Sequence, residues 1–394
     1  MIISRHKLAA YLLLALSSLL LHLPVMYRAI YRQWDFQWHI RRALAYPNEF
    51  DHVSSVLFHA DFLFFHRILG LPQQPAVLTA ILLVMVPVPL IAFALFKKSA
   101  GIQIPEGILM AFALGLAVLA PVTIWTDVFM LGYLNPIVYH NPTSITARLF
   151  VIPVAILSFR VYQNQPFRDL NHRVYILLLC AVLMVLSILA KPSLALALIP
   201  GCILFAFWRA FRREHVDWRL LALGVLLPAM LMLGLQTIIS YYAFDDNSSV
   251  AFGFLTFMKL WIPTWRIPVQ LLLSVVFPLG LALLYAEQAS RHLFLSFSWT
   301  VFVCAILVTY CLYETGPRKW HGNFLWTSYN GIFLLMFVSI LFLLEQYVRE
   351  LRLGKSKLQF FSLRFTRRFA FASFLFALHV ISGMAYYVRF TLNL

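Results

Sequence analysis

The sequence predicts an all-α fold: a polytopic transmembrane helical bundle of about eleven spans with a cytoplasmic N-terminus. Three observations predict it. The first is composition. Of 394 residues, 62% are hydrophobic and only 12% charged, whereas soluble domains run about 45–50% apolar and about 25% charged. A mean hydropathy of +0.83 agrees. The second is the length of the apolar runs, which are continuous over about 17–25 residues, the length a helix needs to cross hydrocarbon. In lipid only helices and closed barrels satisfy their own backbone, and barrel strands alternate apolar with polar residues, which these runs do not. The third is the placement of Lys and Arg.

The spans are expected at 8–26, 75–96, 106–123, 144–162, 173–190, 193–211, 219–242, 267–286, 293–312, 324–347 and 369–389. The first follows Arg5, His6 and Lys7 in the manner of a signal peptide. No small-residue cleavage site follows it, so it reads as an uncleaved span. The apolar stretch 173–211 is divided at Lys191-Pro192-Ser193, because a Pro beside a Lys at the bilayer midplane is costly while a tight surface hairpin is not. With the N-terminus inside, the inner segments collect about 19 of the 31 basic residues, the run 349–368 being the strongest anchor, as the positive-inside rule requires. The whole chain, 1–394, reads as one transmembrane domain, since no outer segment is long enough for a core of its own.

The net charge of +16 in such a chain points to anionic lipid at the membrane surface and not to nucleic acid. Cys180, Cys202, Cys304 and Cys311 lie in or at the ends of apolar spans, with neither metal nor disulfide spacing. The chain lacks a Walker loop, GxGxxG and GxSxG, so nucleotide-driven transport and α/β-hydrolase chemistry have no support.

The inner loops are short and basic, whereas the outer ones carry the chemistry-bearing residues. The loop 27–74 contains two amphipathic helical stretches, about 28–45 and 52–69, broken at Pro47-Asn48. On the first, Asp35, His39 and Arg42 share one face at i, i+4 and i+7. On the second, His52, His59 and His66 recur every seven residues. Interfacial helices anchored by Trp are one reading. The other is an active-site loop with Asp35 as general base and His39 orienting it or the substrate. In the second loop, Asn135-Pro136 and Asn141-Pro142 signal turns, and Thr143 or Ser144 is expected to cap the next helix. A helix N-terminus beside His140 and Arg148 suits an anion such as phosphate. Lys191 and Arg266 stand at outer span ends, where a long cation either snorkels to headgroups or binds a lipid phosphate. In YETGPRKWHGNFLW, Glu314, Arg318, His321 and Asn323 crowd a turn between two spans, costly unless used or solvated. Asp51-His52 with Asp35-x-x-x-His39 could join a divalent-metal site, but that spacing is common by chance, so no cofactor is expected.

Asp35 within WDFQWHI, the segment YLNPIVYHNPTSITAR, the Lys191-Pro192-Ser193 hairpin and ETGPRKWHGNF together resemble the GT-C membrane glycosyltransferases. The resemblance extends to the architecture of most of the chain. It implies a polyprenyl- or dolichyl-phosphate-linked sugar as donor, an Asp base, and transfer on the extracytoplasmic face with inversion at the anomeric carbon. It implies Lys191, Arg266, Arg318 and Arg148 as binders of the donor phosphate. His140, Asn141, Glu314, His321, Asn323, Asp51 and His59 become substrate contacts. The chain departs from better-known members in lacking a paired Asp-Asp or Glu-Asp in the first loop and a large C-terminal soluble domain, which leaves Asp51 and Asp61 as rivals to Asp35. The acceptor, whether glycan, lipid or protein, is left open.

Three further readings compete. A transporter or flippase for lipid-linked or amphipathic substrates predicts charged residues inside spans and broken helices. An O-antigen polymerase or ligase predicts a large late outer loop, where here the long loop comes first. A non-catalytic scaffold predicts that Asp35, His39 and Arg318 tolerate substitution. The compact chain and short loops suggest a bacterial plasma (inner) membrane, with the endoplasmic reticulum as the alternative.

Overall fold

A computed structural model of the chain describes residues 5–46, 55–101, 104–125, 131–164, 169–242, 247–354, 358–360 and 363–392. Among them, nine helices are long and apolar enough to cross a membrane, or ten when one bent pair is counted as a span. The chain is therefore an integral, multi-pass membrane protein.

α1 (Arg5–Arg32) runs beyond the expected end at residue 26, since nothing after Pro24 stops it. It ends at Gln33, whose extended backbone starts α2 (Trp34–Leu44). The single helix expected over 28–45 is thus two, with the break placed just before Asp35. α3 (Leu57–Leu63) continues as a π turn, Phe64–Ile68. α4 (Gln73–Met85) and α5 (Pro87–Ala100) join into one span. α6 (Glu106–Leu116) is followed by irregular backbone. Next come α7 (Pro142–Phe159), α8 (Leu170–Ala190), α9 (Ser193–Phe211) and α10 (Leu227–Tyr241), the last entered through a π segment, Leu220–Leu226. β1 (Val250–Phe252) pairs antiparallel with β2 (Leu312–Glu314), Val250 opposite Glu314. Between these strands lie α11 (Thr256–Lys259), α12 (Arg266–Ser274), α13 (Val276–Leu284), α14 (Ala286–Arg291) and α15 (Leu293–Cys311). A 3-10 turn at Gly316–Trp320 leads to α16 (Leu325–Arg352), and α17 (Arg367–Leu392) completes the described helices.

α16 is the axis of the bundle. Of its most apolar window 94% is buried, against 22% for the Leu220–Tyr241 helix and 28% for α1. It packs on α15, α9, α5 and α7, and the outer helices turn their remaining apolar faces outward, as a lipid solvent allows.

Two expected spans differ from the rest. α6 has 11 helical residues, about 16 Å at a rise of ~1.5 Å per residue, half of the ~30 Å hydrocarbon thickness. α12 and α13 are bent by 64°. Each break frees backbone groups that need partners within the protein, and His379 of α17 serves both. Its Nδ1 donates to the Ala120 carbonyl at 2.8 Å, and its Nε2 accepts the Phe277 N–H at 3.3 Å. A carbonyl only accepts and an amide N–H only donates, so the partners fix this tautomer. The Ala120 N–H donates to the His379 carbonyl, and the Val122 N–H to that of Leu273.

α17 can approach this irregular backbone only because residue 383 is Gly. A Cβ there would lie 1.7 Å from the Val118 carbonyl oxygen and 3.0 Å from the Ala120 nitrogen. Backbone cannot swing aside, so Gly383→Ala is expected to destabilise the protein by at least the ~1–3 kcal/mol typical of overpacking. Thermal unfolding in detergent checks this, and an unchanged Tm would refute it.

Candidate functional site

Four connections far apart in sequence meet at one end of the bundle and enclose a cavity of about 630 Å³. α2 supplies Trp34, Asp35, Trp38, His39 and Arg42. The N-terminus of α7 supplies Asn141 and Thr143. The α8–α9 hairpin supplies Lys191. The turn before α16 supplies Arg318, Trp320, His321 and Asn323, with Trp326 from α16 itself.

Asn141 organises the interior. It takes an extended backbone before Pro142, and its Oδ1 accepts the Ser144 N–H at 2.9 Å. The cap of α7 is therefore Asn141 and not Thr143 or Ser144 as expected, because Pro142 presets the first helical φ and leaves the residue before it extended. The same Oδ1 accepts from Thr143 Oγ1 at 2.9 Å and from Lys191 Nζ at 3.2 Å. With the oxygen so committed, the amide nitrogen faces α2 and donates to Asp35 Oδ2 at 3.0 Å. One side-chain amide thus joins the carboxylate to the ammonium.

Lys191 is held by the hairpin. Pro192 disfavours helix at the residue before it, and Lys191 adopts φ −168° and ψ 133°. Its ammonium donates to Thr143 Oγ1 at 3.1 Å and lies 4.5 Å above the Trp326 ring. Only 8% of the residue is exposed, and among the described residues no carboxylate forms an ion pair with it. Burial lowers its pKa to about 7, against the opposing pull of Asp35 and Glu314.

His39 is wired from behind. His59 Nδ1 lies 3.1 Å from the Ser55 carbonyl and therefore carries the proton, so its Nε2 accepts from His39 Nδ1 at 3.0 Å. That leaves His39 Nε2 with a lone pair. Burial, joined by the nearby His59, Lys191 and Arg42, holds His39 well below the usual imidazole range. Burial likewise lowers His59 to about 4. Both rings are neutral at pH 7, so among the described residues the charged lining comprises Asp35 against Arg42, Arg318 and Lys191, the last about half protonated at that pH. Arg42 lies 4.0 Å over Trp38, and Arg318 lies 5.2 Å over Tyr241.

Asp35, His39, Asn141, Lys191, Arg318, His321 and Asn323 come together as lining residues. His59 stands behind His39. His140 packs on Trp326 at 5.6 Å, and burial lowers its pKa. Glu314 does not line the cavity. It is buried with Tyr241 and Asn323 each donating to it at 2.7 Å, so it anchors the turn. Arg266 is elsewhere, 5.3 Å from both the Trp125 and Trp265 rings. Arg148 is also elsewhere: five residues beyond Thr143, it is carried around α7 and deeper into the bundle. Asp61 lies outside the lining, and burial raises it to about 6. Asp51 and His52 are outside the described residues. Among the described residues no three His, Cys, Asp or Glu side chains gather to hold a metal ion.

Arg42 shares the Asp35/His39 face in the sequence, but nothing local to it points to a role. In the sequence Trp34 and Trp38 read as interfacial anchors, and Trp320, Trp326 and Ser55 carry no signal, because which indoles face a cavity depends on helix placement and not on local pattern.

The fold and the cavity define a multi-pass membrane protein with a polar, mainly cationic site at one end of its bundle. In comparisons with protein-family models, curated proteins and solved structures, the chain matches none.

Proposed function

We propose that the chain is a membrane glycosyltransferase of the polyprenyl-phosphate-sugar-dependent kind. It moves a sugar from the lipid-linked donor to an acceptor hydroxyl on the extracytoplasmic face of a bacterial plasma membrane. The observation that carries this reading is the chain Asp35–Asn141–Lys191 on one cavity wall, with Arg42 and Arg318 on the same cavity.

The acceptor oxygen attacks the anomeric carbon as the bond from that carbon to the phosphate oxygen breaks. Asp35 accepts the hydroxyl proton. Its Oδ2 is held by Asn141, and Asp35 makes no other hydrogen bond among the described residues, so Oδ1 is the basic atom. The phosphate leaves as a lipid phosphate with greater negative charge, which Lys191, Arg42 and Arg318 stabilise. A cation excess is what a departing phosphate needs. The His39–His59 pair orients α2 at the site without adding charge. With basic residues at the other end of the spans, the positive-inside rule turns this cavity outward, where the head of a lipid-linked sugar is presented.

The test is a transfer assay on the purified chain in nanodiscs with a panel of polyprenyl-phosphate sugars. Release of polyprenyl phosphate, by transfer or slow hydrolysis, is the expected result. The rival transporter reading is favoured by the broken pair α12–α13, since discontinuous helices line transport sites. Tight binding of lipid-linked sugar with no release from any donor would overturn the transferase reading in its favour.

A further inference from the structure

His39 keeps one ring nitrogen for the cavity, where other histidines of the chain spend both on the protein. His379 donates from Nδ1 to the Ala120 carbonyl and accepts the Phe277 N–H at Nε2. His292 accepts the Leu295 N–H at Nδ1 and donates from Nε2 to Glu345. His59 is likewise used at both nitrogens, by the Ser55 carbonyl and by His39. His39 is only 8% exposed and lines the cavity, yet among the described residues nothing is hydrogen-bonded to its Nε2.

The relay behind the ring sets the chemistry of that atom. The Ser55 carbonyl only accepts, so His59 carries its proton on Nδ1, His39 carries its own on Nδ1, and Nε2 of His39 presents a bare lone pair. Because the chain of bonds ends on a carbonyl, no proton can shift along it to reverse the tautomer. Lys191 and Arg42 nearby oppose a positive charge on the ring. Four residues earlier on the same face of α2, Asp35 presents Oδ1 to the same cavity. Four helical residues rise about 6 Å. A lone pair and a carboxylate both repel phosphate oxygens, so this face takes neutral O–H donors. Two hydroxyls on neighbouring carbons, each reaching its acceptor over about 2.7–2.8 Å, bridge that spacing. A molecule with one hydroxyl leaves a buried acceptor unpaired, at a cost in binding.

We infer that, given the transferase reading, the acceptor is a molecule bearing two hydroxyls on neighbouring carbons, as in a sugar ring or a glycerol headgroup, one meeting Asp35 and the other donating to His39 Nε2. The first hydroxyl gives its proton to Asp35 as its oxygen bonds to the anomeric carbon and the phosphate leaves. The second keeps its proton and fixes the orientation of the first. His39 is thus a specificity-determining residue and His59 a positioning residue behind it. A serine or threonine side chain, with a single hydroxyl, is a poor substrate for this site.

The test is competition between acceptors in the nanodisc transfer assay with the panel of polyprenyl-phosphate sugars, the glycosylated alcohols being counted by mass. One arm sets cis-cyclohexane-1,2-diol, held in a ring as in a sugar, against cyclohexanol. The other sets propane-1,2-diol, open as in glycerol, against propan-1-ol. In at least one arm the parent should favour the diol about tenfold beyond the ratio set by counting hydroxyls, the upper range for one hydrogen bond between neutral groups. The arm that shows it identifies the source of the diol. His39→Phe should return the ratio to that count. His59→Phe leaves Nδ1 of His39 without an acceptor and frees its proton to move to Nε2, so it should lower the ratio as well. Should a variant fail to fold, the parent's own ratio decides, since the absence of a diol preference there overturns the inference. A preference that survives His39→Phe overturns it too. Both results leave the transferase reading standing, because lipid phosphate is still released. No release from any donor overturns that reading and this inference with it.

Discussion

Asp35→Asn is expected to lower the transfer rate by ~10²–10⁴-fold, the usual contribution of a positioned general base, with little change in stability. The substitution is nearly isosteric, and the new side-chain oxygen can still accept from the Asn141 amide, the bond that measures 3.0 Å in the parent. The Asn141–Lys191 half of the network is then undisturbed, so only basicity is lost. The assay is single-turnover transfer from the lipid-linked donor, with donor affinity measured separately. Donor binding should stay within about threefold, since Asp35 is assigned to the acceptor proton and not to the phosphate. Transfer at more than a third of the parent rate would remove Asp35 from the role. Asp51→Asn and Asp61→Asn run beside it. Loss confined to one of them would keep the transferase reading and move the base.

Lys191→Met should cost ~10²–10³-fold in kcat/KM, the scale for removing one preorganised group that meets developing negative charge. Met retains the length of the stem, so the loss reports the ammonium and not a cavity. The pH dependence gives an independent handle. With its pKa lowered to about 7 by burial, Lys191 is charged below that pH and neutral above it. Donor KM should therefore rise as pH increases from 6 to 9 in the parent, with no such limb in Lys191→Met. Stability without ligand moves in the opposite sense. A folded-state pKa below the ordinary lysine value of about 10.4 means that folding is penalised by the charge below about pH 7. That penalty lifts as pH rises from 7 toward 10. The parent should accordingly gain Tm over that interval relative to Lys191→Met, while added lipid phosphate narrows the gap by restoring a counter-charge. A donor KM independent of pH in the parent would refute the assignment.

Much of the architecture was legible because lipid imposes its demands locally. A span needs a continuous apolar run, and Leu170–Ala190, Ser193–Phe211, Leu293–Cys311 and Leu325–Arg352 follow the expected runs closely. The Lys191 hairpin could also be read, since a Pro after a Lys is locally incompatible with continued helix. α6 and the α12–α13 bend could not. Their runs are apolar enough to be helical throughout, and they break because His379, more than 100 residues away from Phe277, is in place to satisfy the freed backbone.

By itself, the sequence determined the solvent of this protein, its helical class, and the set of polar residues held at the ends of its spans. All three follow from composition and from the spacing of neighbours along the chain. Tertiary structure decided which of those residues meet. Lys191 and Arg318 share a cavity with Asp35, whereas Arg266 is held between two Trp rings and Arg148 is carried around α7 and deeper into the bundle. All four are cations at or near the outer ends of predicted spans, and nothing local distinguishes them. What separates them is the helix face each occupies and the neighbour that face meets, and packing around α16 sets both.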